Sequence, residues 1–249
     1  MSTISRRAML VGSGVLVGAP VAGLFADQAG ERTPKLKVIV AGAHPGDPEA
    51  ACGGTMARLA EAGHTLVALY ATRGERGIKG KSPKDAGATR TEEANKACKL
   101  LKAKALFANQ IDGDSRISLA RYDEFNKLLE GEKPDVVFTH WPIDTHRDHR
   151  ACSLFVYDAW LALRKKCALY FYEVATGQET QHFRPTHYVD IAKTENSKRA
   201  ACFAHASQNP TEFYADQEVI HRFRGLEAGC KLAEAFIHHE QSPMIGLLT

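Results

Sequence analysis

Two side chains of types that commonly bind metals follow the first apolar segment of the sequence. Residues 38–43 are small or β-branched, which is typical of a buried strand, and the polar turn His-Pro-Gly-Asp at 44–47 comes directly after them. A helical pattern then covers about residues 49–62. His44 and Asp47 therefore lie where a strand's carboxyl end turns into a helix, and ligand crevices form at such points in open α/β sheets. Imidazole and carboxylate together are typical zinc ligands.

A second cluster with the same layout follows later in the chain. Residues 136–139 form another short apolar segment, and a run rich in histidine and aspartate comes after it: His140, Asp144, His146, Asp148 and His149. Because the carboxyl ends of parallel strands meet at one edge of a sheet, we expect the two clusters to come together there. The sequence therefore predicts a single metal site built from both.

These clusters resemble the signature motifs of a known family. His-Pro-Gly-Asp-Pro-Glu at 44–49 resembles the His-Pro-Asp-Asp signature of the PIG-L/LmbE-like zinc-dependent N-acetylglucosaminyl deacetylases. His-Arg-Asp-His at 146–149 is similar to their second motif, His-x-Asp-His. Shorter similarities lie at Thr-Arg-Gly-Glu 72–75, Arg-Thr-Glu-Glu 90–93, His-Ala-Ser-Gln 205–208 and Glu-Ala-Phe 234–236. The resemblance thus extends over most of the chain after residue 35.

The resemblance implies a metal centre and a reaction. It places one Zn²⁺ per chain on His44, Asp47 and His149 and leaves a fourth coordination position for water. The implied reaction removes the N-acetyl group from an amino sugar or glycoconjugate containing N-acetylglucosamine, through attack of a water activated by zinc. His146 matches a catalytic histidine that stabilises the oxyanion or protonates the departing amine. Other divalent ions also suit such ligands.

Position 46 departs from the family signature. The family's general base is the first aspartate of His-Pro-Asp-Asp, and this position is Gly46 here, which has no group to titrate. Another carboxylate can take over, with Asp144 the first candidate and Glu49 the second. Alternatively, zinc alone activates the water and the enzyme is slower, or the protein is a non-catalytic metal- or carbohydrate-binding homologue. An amidase that cleaves a different amide is a further alternative.

Three more residues are candidates for the site. Asp148 is predicted to orient His146 or another imidazole, or else to be an acidic residue favoured by a helix dipole. Arg90 matches a family arginine that lies near the substrate, and its guanidinium suits sugar hydroxyls or a phosphate. Arg73 is a weaker candidate for substrate binding. Residues 205–208 are expected to give structural support, with substrate contact as the alternative.

The N-terminus has the pattern of an export signal. Ser-Arg-Arg-Ala-Met-Leu at 5–10 fits a twin-arginine signal, and a weakly hydrophobic segment and a cleavage site near residue 26 follow it. We expect residues 1–26 to be this signal, 27–34 a flexible lead-in and 35–249 one deacetylase domain, exported to the periplasm or outside the cell. A basic tail and an uncleaved anchor are the alternatives.

Composition and charge limit the classes of partner that we expect this protein to bind. Loss of two arginines with the signal lowers the basic count from 32 to 30 against 29 acidic residues, a net charge of +1, and no basic stripe stands out. Nucleic acid is therefore not an expected partner. No apolar run beyond the N-terminus reaches the ~18 residues that a membrane span needs. The six cysteines form no C-x-x-C pair, and we expect buried free thiols, with one or two disulfides as the alternative.

Alternating strand and helix patterns predict a single α/β domain with a Rossmann-like, mainly parallel sheet flanked by helices. The predicted strands cover residues 38–43, 65–71, 104–108, 136–139, 168–174 and 188–191. The predicted helices cover residues 49–62, 89–101, 122–130, 151–165, 196–205 and 211–236. A Thr-x-x-Glu capping box at 89–92 opens the second helix, and the glycine-rich segment 72–88 before it is predicted to be a mobile loop at the rim of the site. The sequence has no G-x-G-x-x-G motif, so the fold is not expected to bind a nucleotide.

Overall fold

A computed structural model describes residues 34–245, which form a seven-stranded sheet with helices on both faces. The strands are β1 (Lys37–Gly42), β2 (Thr65–Tyr70), β3 (Ala103–Phe107), β4 (Val136–His140), β5 (Ala168–Tyr172), β6 (His187–Asp190) and β7 (Ala233–His238). The helices are α1 (Asp47–Glu61), α2 (Pro83–Leu100), α3 (Leu119–Glu132), α4 (Arg147–Ala162), α5 (Glu195–Phe203) and α6 (Pro210–Ala228), with a 3-10 turn at Ala206–Gln208. The predicted export signal lies outside the described residues.

The strand order explains why the two clusters meet. The order is β3-β2-β1-β4-β5-β7-β6; β1 to β5 run parallel, and β7 runs antiparallel to both β5 and β6. The chain moves outward from β1 to β3 and then returns to place β4 on the other side of β1. This reversal creates a crevice at the carboxyl ends of β1 and β4. The predicted mainly parallel α/β fold is confirmed.

Both faces of the central strands are buried. In β1, Val38 and Val40 contribute to the core under α1, α2 and α5, while Ile39 and Ala41 contribute to the core under α3 and α4. A strand covered on both faces needs apolar side chains at every position, which explains the uninterrupted apolar segments in the sequence. The same burial fixes where β1 and β4 end, and hence where their polar turns begin.

A buried ion pair fixes α1, the helix that carries Asp47. Glu234 in β7 accepts hydrogen bonds from Gly54 N at 2.8 Å, Thr55 N at 2.7 Å and Lys198 Nζ at 2.5 Å. Lys198 also donates to Ala50 O at 2.6 Å. Lys198 and Glu234 are both almost fully buried, so each is stable there because the other compensates its charge.

Two predicted helix boundaries are wrong. The expected helix over residues 211–236 ends at Ala228, because Gly229 has a φ of +72° that terminates it, and β7 follows. The second helix begins before the expected capping box, since the Ser82 hydroxyl already caps it by accepting from Asp85 N at 3.2 Å. Residues 83–88 are therefore helical, and the loop before α2 is shorter than predicted.

The cysteines are free thiols, as the sequence predicted. All six lie in the described part of the chain and are free; five are buried and Cys230 is half-buried. Within residues 34–245, no helix combines the length and apolarity that crossing a membrane requires.

Candidate metal centre

The turn after β1 presents His44 and Asp47 on the same side. Gly46 has a φ of +110°, a conformation that side-chain-bearing residues rarely adopt, and it caps the N-terminus of α1. His44 N donates to Asp47 Oδ2 at 2.7 Å, and Gly46 N donates to Glu49 Oε2 at 3.2 Å. Asp47 is the first residue of the helix, where the dipole also favours its negative charge.

The turn after β4 places His146 and His149 beside the first turn. His146 caps α4, because its Nδ1 accepts from Asp148 N at 3.2 Å. His149 lies in the first turn of that helix and is buried. Its imidazole contacts those of His44 and His146, with ring centroids 5.4 and 4.7 Å away.

Both turns converge on one oxygen of Asp47. Asp47 Oδ2 lies 3.3 Å from His44 Nδ1, 3.6 Å from His149 Nε2 and 3.2 Å from His140 Nε2. Ligand atoms at ~2.0–2.1 Å from a tetrahedral ion are about 3.4 Å apart, close to the separations of Asp47 from His44 and His149. Asp47 thus lies within 3.6 Å of one ring nitrogen of each of the other two predicted ligands.

Carboxylates also contact the opposite ring nitrogens of the two histidines. His44 Nε2 lies 3.2 Å from Asp148 Oδ2 and 3.3 Å from Asp112 Oδ1. His149 Nδ1 lies 3.2 Å from Asp144 Oδ1, an ion-pair contact rather than a well-aligned hydrogen bond. Metal-binding histidines commonly present their second ring nitrogen to a carboxylate in this way, which fixes the tautomer. Three groups in the described part of the chain could hold a divalent metal, because their ligand atoms lie within 4.8 Å of one another: His44, His146 and His149; Asp47, His140 and His149; and His44, Asp112 and Asp148.

The local electrostatics favour positive charge at this position. Burial opposes protonation of His44, but Asp47, Asp112 and Asp148 outweigh it and hold the His44 pKa well above its ordinary value. The His149 pKa is also raised, because Asp47 and Asp144 outweigh the effect of burial. Burial favours the neutral form of Asp47, yet the neighbouring His149 and His44 hold its pKa well below the usual range. The carboxylates that raise these two histidine pKa values would also stabilise a bound dication.

Two further histidines border the centre. His140 is buried, accepts from Ala43 N at 3.0 Å through Nε2, and has no partner for Nδ1 among the described residues. Burial and then the neighbouring His149 lower the His140 pKa to about 4, so its ring is neutral at pH 7. Burial and the adjacent His44 and His149 lower the pKa of His146 as well. Because His146 Nδ1 accepts a hydrogen bond, its neutral form carries the proton on Nε2.

Neither predicted replacement for the missing base faces open space. Asp144 accepts from His146 N at 2.7 Å and from Thr180 Oγ1 at 3.0 Å, and its contact with His149 is to the edge of the ring away from Asp47. Glu49 is fully buried and accepts from Tyr70 Oη at 2.5 Å. Asp144 instead lies where it can orient His149, and Glu49 supports the turn after β1.

Asp148 also contacts a different histidine from the one first considered. Its carboxylate accepts from Gly113 N at 2.6 Å and contacts His44 Nε2, whereas only its backbone N–H reaches His146. Hydrogen bonds from His44 and Gly113 outweigh burial and lower the Asp148 pKa. Asp148 therefore contacts an imidazole other than that of His146, and its lowered pKa keeps it ionised.

Arg90 lies beside the turn that carries His44 and lines the adjoining cavities. It is 5% exposed and donates through Nη2 to Pro45 O, in the turn that carries His44. The glycine-rich loop before α2 packs against it so closely that a Cβ at Gly77 would lie 2.6 Å from Arg90 Nη1. Burial lowers the pKa of the Arg90 guanidinium.

Arg73 lies outside the centre, so its predicted role in substrate binding is not supported. Its guanidinium donates to Asn109 Oδ1 at 3.0 Å and to Thr91 Oγ1 at 3.1 Å. It also stacks over the Phe107 ring at 4.4 Å. These contacts connect α2 to the end of β3.

Two adjoining cavities open at the centre. The metal-side cavity, about 410 Å³, is lined by His44, Asp47, His146 and His149, among others. The Gly46 cavity, about 320 Å³, lies beside Gly46, His205, Gln178 and Phe213. Four residues line both cavities: Asp47, Arg90, Glu179 and Gln208. Each volume is within the ~300–1,000 Å³ typical of small-molecule sites.

Sequence reasoning missed two carboxylates and undervalued two polar residues. Asp112 follows β3 and Glu179 follows β5, so their positions after parallel strands were the available signal. Asp112 contacts His44, and Glu179 Oε2 lies 3.8 Å from His149 Nδ1. His205 and Gln208, expected to give structural support, line the Gly46 cavity. Among the described residues neither ring nitrogen of His205 has a well-aligned hydrogen bond, and its Nε2 lies 3.3 Å from Glu49 Oε1.

Comparisons with known proteins agree with this arrangement. The sequence model of the PIG-L family, described as GlcNAc-PI de-N-acetylase, matches residues 39–160, which contain both clusters. The uncharacterized deacetylase YaiS of Escherichia coli (strain K12) is 31% identical over 121 residues. That alignment covers 46% of this chain and 62% of YaiS, less than two thirds of the relative's length.

Solved structures share the fold over most of the chain. The conserved protein TT1542 from Thermus thermophilus has a TM-score of 0.72 at 26% identity, covering 84% of this chain and 97% of its own. N,N'-diacetylchitobiose deacetylase from Pyrococcus horikoshii has a TM-score of 0.73 at 23% identity, with 85% and 88% covered. From the matched motifs and the shared architecture, the chain belongs to the PIG-L/LmbE-like deacetylase family.

Proposed function

We propose that this protein is a metal-dependent deacetylase that hydrolyses the N-acetyl group of an N-acetylglucosamine-containing sugar. The observation that carries the proposal is the convergence of His44, Asp47 and His149 in the wall of a cavity. These ligands come from two turns that are distant in the sequence. Membership of a deacetylase family supports the reaction type.

His44 Nδ1, Asp47 and His149 Nε2 would hold the metal, and we propose Zn²⁺, one per chain. When bound, a zinc ion polarises an amide carbonyl and acidifies water. Asp148 and Asp112 keep His44 oriented, and Asp144 keeps His149 oriented. The protein thus supplies a preformed ligand set in which each histidine has one ring nitrogen directed at the metal.

In this proposal, His146 stabilises charge that develops on the substrate. Its Nδ1 accepts from Asp148 N, so a proton on Nε2 is available on the cavity side. That N–H can donate to the carbonyl oxygen as it becomes negative, and then to the amine nitrogen as the C–N bond breaks. Removal of one such donor typically costs ~10²–10³ in kcat.

The Gly46 cavity is suited to a sugar. Arg90, Gln178, Gln208 and Asp216 offer donors and acceptors for hydroxyl groups, and Phe213 offers an apolar face for a pyranose ring. The related Pyrococcus protein is a deacetylase of N,N'-diacetylchitobiose, which supports an amino sugar as the substrate class.

Gly46 supports one rival, a homologue that binds metal and carbohydrate without turnover. A Cβ at this position would meet nothing closer than 3.9 Å, so an aspartate would have space, but the φ of +110° would strain it. Restoring the family aspartate is therefore an ambiguous test, because a lack of activity in Gly46→Asp can come from the strained backbone alone.

The decisive experiment supplies the zinc-loaded full chain with N-acetylglucosamine and N,N'-diacetylchitobiose and measures amine and acetate release. Equal amounts of both products, lost in His146→Ala, would support the proposal. Saturable sugar binding without release would favour the binding homologue. Release only from longer-acyl or non-sugar amides, tested in parallel, would favour the amidase alternative.

We further propose export through the twin-arginine segment, a prediction from the sequence. Fractionation of cells expressing the full chain and Arg6→Lys/Arg7→Lys would test it. Accumulation of the variant in the cytoplasm would support export, and an identical distribution of both proteins would oppose it.

A further inference from the structure

Hydrolysis of an amide requires a group that accepts a proton from the attacking water, and Gly46 offers none. Four carboxylates line the two cavities at the metal centre: Asp47, Asp112, Asp216 and Glu179. A proton acceptor in this role needs an oxygen that is free of hydrogen bonds and that faces the cavity lined by the proposed metal ligands His44, Asp47 and His149. These two requirements distinguish among the four.

Three of the carboxylates are already engaged. Asp47 is the point on which the metal ligands converge. Asp112 contacts His44 through Oδ1 and accepts from Arg76 N at 2.9 Å through Oδ2. Asp216 accepts from Gln178 and lines only the Gly46 cavity, away from the imidazoles.

Glu179 alone among these four meets both requirements. Its carboxylate accepts no hydrogen bond from any residue within 34–245. Its Oε2 lies 3.8 Å from His149 Nδ1, the ring nitrogen that Asp144 also contacts, and the cavity that Glu179 lines together with His44, Asp47 and His146 is what places it on the metal side. It lines both cavities, and its side chain is 36% exposed, so it reaches the substrate space as well as the metal side.

The backbone holds Glu179 at the rim of the site. Thr145 N donates to Glu179 O at 2.9 Å, which connects the loop after β5 to the loop after β4. Glu179 N donates to Ala175 O at 2.8 Å, and the next residue, Thr180, forms an isolated bridge with Asp144. The carboxylate therefore projects from an anchored position next to the residues that orient His149.

We propose that Glu179 is a catalytic residue of the hydrolysis, supplying the carboxylate that position 46 lacks; this inference rests on the proposed function. As water oxygen bonds to the acetyl carbon, one water proton moves to Glu179. As the C–N bond breaks, that proton passes to the amine nitrogen, directly or through His146. One amide and one water give one amine and one acetic acid, and Glu179 returns to its carboxylate form.

The first test compares Glu179→Gln, Glu179→Ala and the control Glu130→Gln in the full chain; the exposed Glu130 side chain lines neither cavity. We expect a ~10²–10⁴-fold loss of kcat in both Glu179 variants, with the metal content of the parent, and at most a few-fold change in the control. Added formate should restore part of the rate in Glu179→Ala, because it can occupy the vacated space. A Glu179→Gln variant with the parental kcat would overturn the proposal.

A second measurement does not depend on turnover. Acetohydroxamate binds metals through two oxygens and carries a proton that a neighbouring carboxylate can accept, so its affinity for the zinc-loaded protein reports the position of Glu179. We expect Glu179→Gln to weaken its binding about tenfold or more, while Glu130→Gln leaves it unchanged. Equal affinity in the parent and Glu179→Gln would refute the placement. If the parent binds the probe but hydrolyses no acetylated sugar, the proposed function fails, and this comparison still decides the placement of Glu179.

Discussion

Replacement of Asp144 by asparagine tests whether this residue orients a metal ligand or acts as a base. Asparagine keeps the shape of the side chain, so the oxygen that accepts from His146 N and the contact with Thr180 can be preserved. What disappears is the negative charge 3.2 Å from His149 Nδ1. We expect weaker metal binding with little change in the fold.

The expected size of this effect follows from the geometry. A metal on His149 Nε2 would lie about 7 Å from the Asp144 carboxylate, across the imidazole ring. A dication and a single negative charge at that distance attract each other by about 5 kcal/mol at an effective dielectric constant of 20 and about 1 kcal/mol at 80. Loss of a carboxylate behind a metal-binding histidine typically lowers metal affinity 10–100-fold, or about 1.4–2.8 kcal/mol, within these bounds.

Competition with a zinc chelator measures this affinity, and Asp158→Asn on the same helix is the control for a change of charge. We expect the dissociation constant for zinc to rise 10–100-fold in Asp144→Asn and to keep its parental value in Asp158→Asn. Parental metal affinity in Asp144→Asn, combined with a 10²–10⁴-fold loss of kcat at saturating metal, would refute the orienting role. That result would restore Asp144 as the base.

The remaining predictions concern stability. Lys198→Met should lower the free energy of unfolding by about 3–5 kcal/mol, since Glu234 would stay buried without a counter-charge. In a double-mutant cycle by urea unfolding, Lys198→Met/Glu234→Gln should cost less than the sum of the single changes, and strict additivity would contradict the coupling. His221 is buried and its pKa is held well below the ordinary value by burial and by Lys198, so below pH 6.5 the unfolded chain binds a proton that the folded chain excludes. Stability should fall with decreasing pH by up to ~1.4 kcal/mol per unit more in the parent than in His221→Gln, and parallel pH profiles would disprove this. Gly46→Ala should destabilise by about 1–3 kcal/mol through its backbone alone, whereas Gly131→Ala, in α3 with open space around it, should stabilise by up to ~1 kcal/mol; equal effects in thermal unfolding would contradict the argument.

The two turns that carry the histidine and aspartate clusters were predictable because strong local signals surround them. Central strands buried on both faces, such as β1 and β4, read as uninterrupted apolar segments, and the polar turns after them stop each strand sharply. The parallel arrangement then brings His44 and His149 to one edge of the sheet. This much follows from residue types and from the connection rules of α/β folds.

The carboxylates that support the site depend on tertiary contacts that no local pattern records. Asp112 lies in an irregular segment after β3, and its position is set by Arg76 N and His44. Glu179 is positioned by the backbone of Thr145, from a different loop. Asp148 contacts His44 rather than His146 because the loop carrying Gly113 folds over the centre.

The boundary errors have local causes. β7 is short and follows α6 without a proline, so Gly229 was the only strong stop signal. The Ser82 cap of α2 stands close to glycine-rich sequence, which concealed the start of the helix.

The most direct test of the proposed metal centre is the metal content of the purified full chain, measured by elemental analysis after incubation with zinc and removal of the excess. The set comprises the parent, His149→Ala and the control His182→Ala, whose exposed side chain lines neither cavity. We predict about one zinc per chain in the parent and the control and less than about a tenth of that in His149→Ala, since removal of one of three protein ligands dismantles the site. Equal zinc content in all three proteins would contradict a metal centre formed by His44, Asp47 and His149.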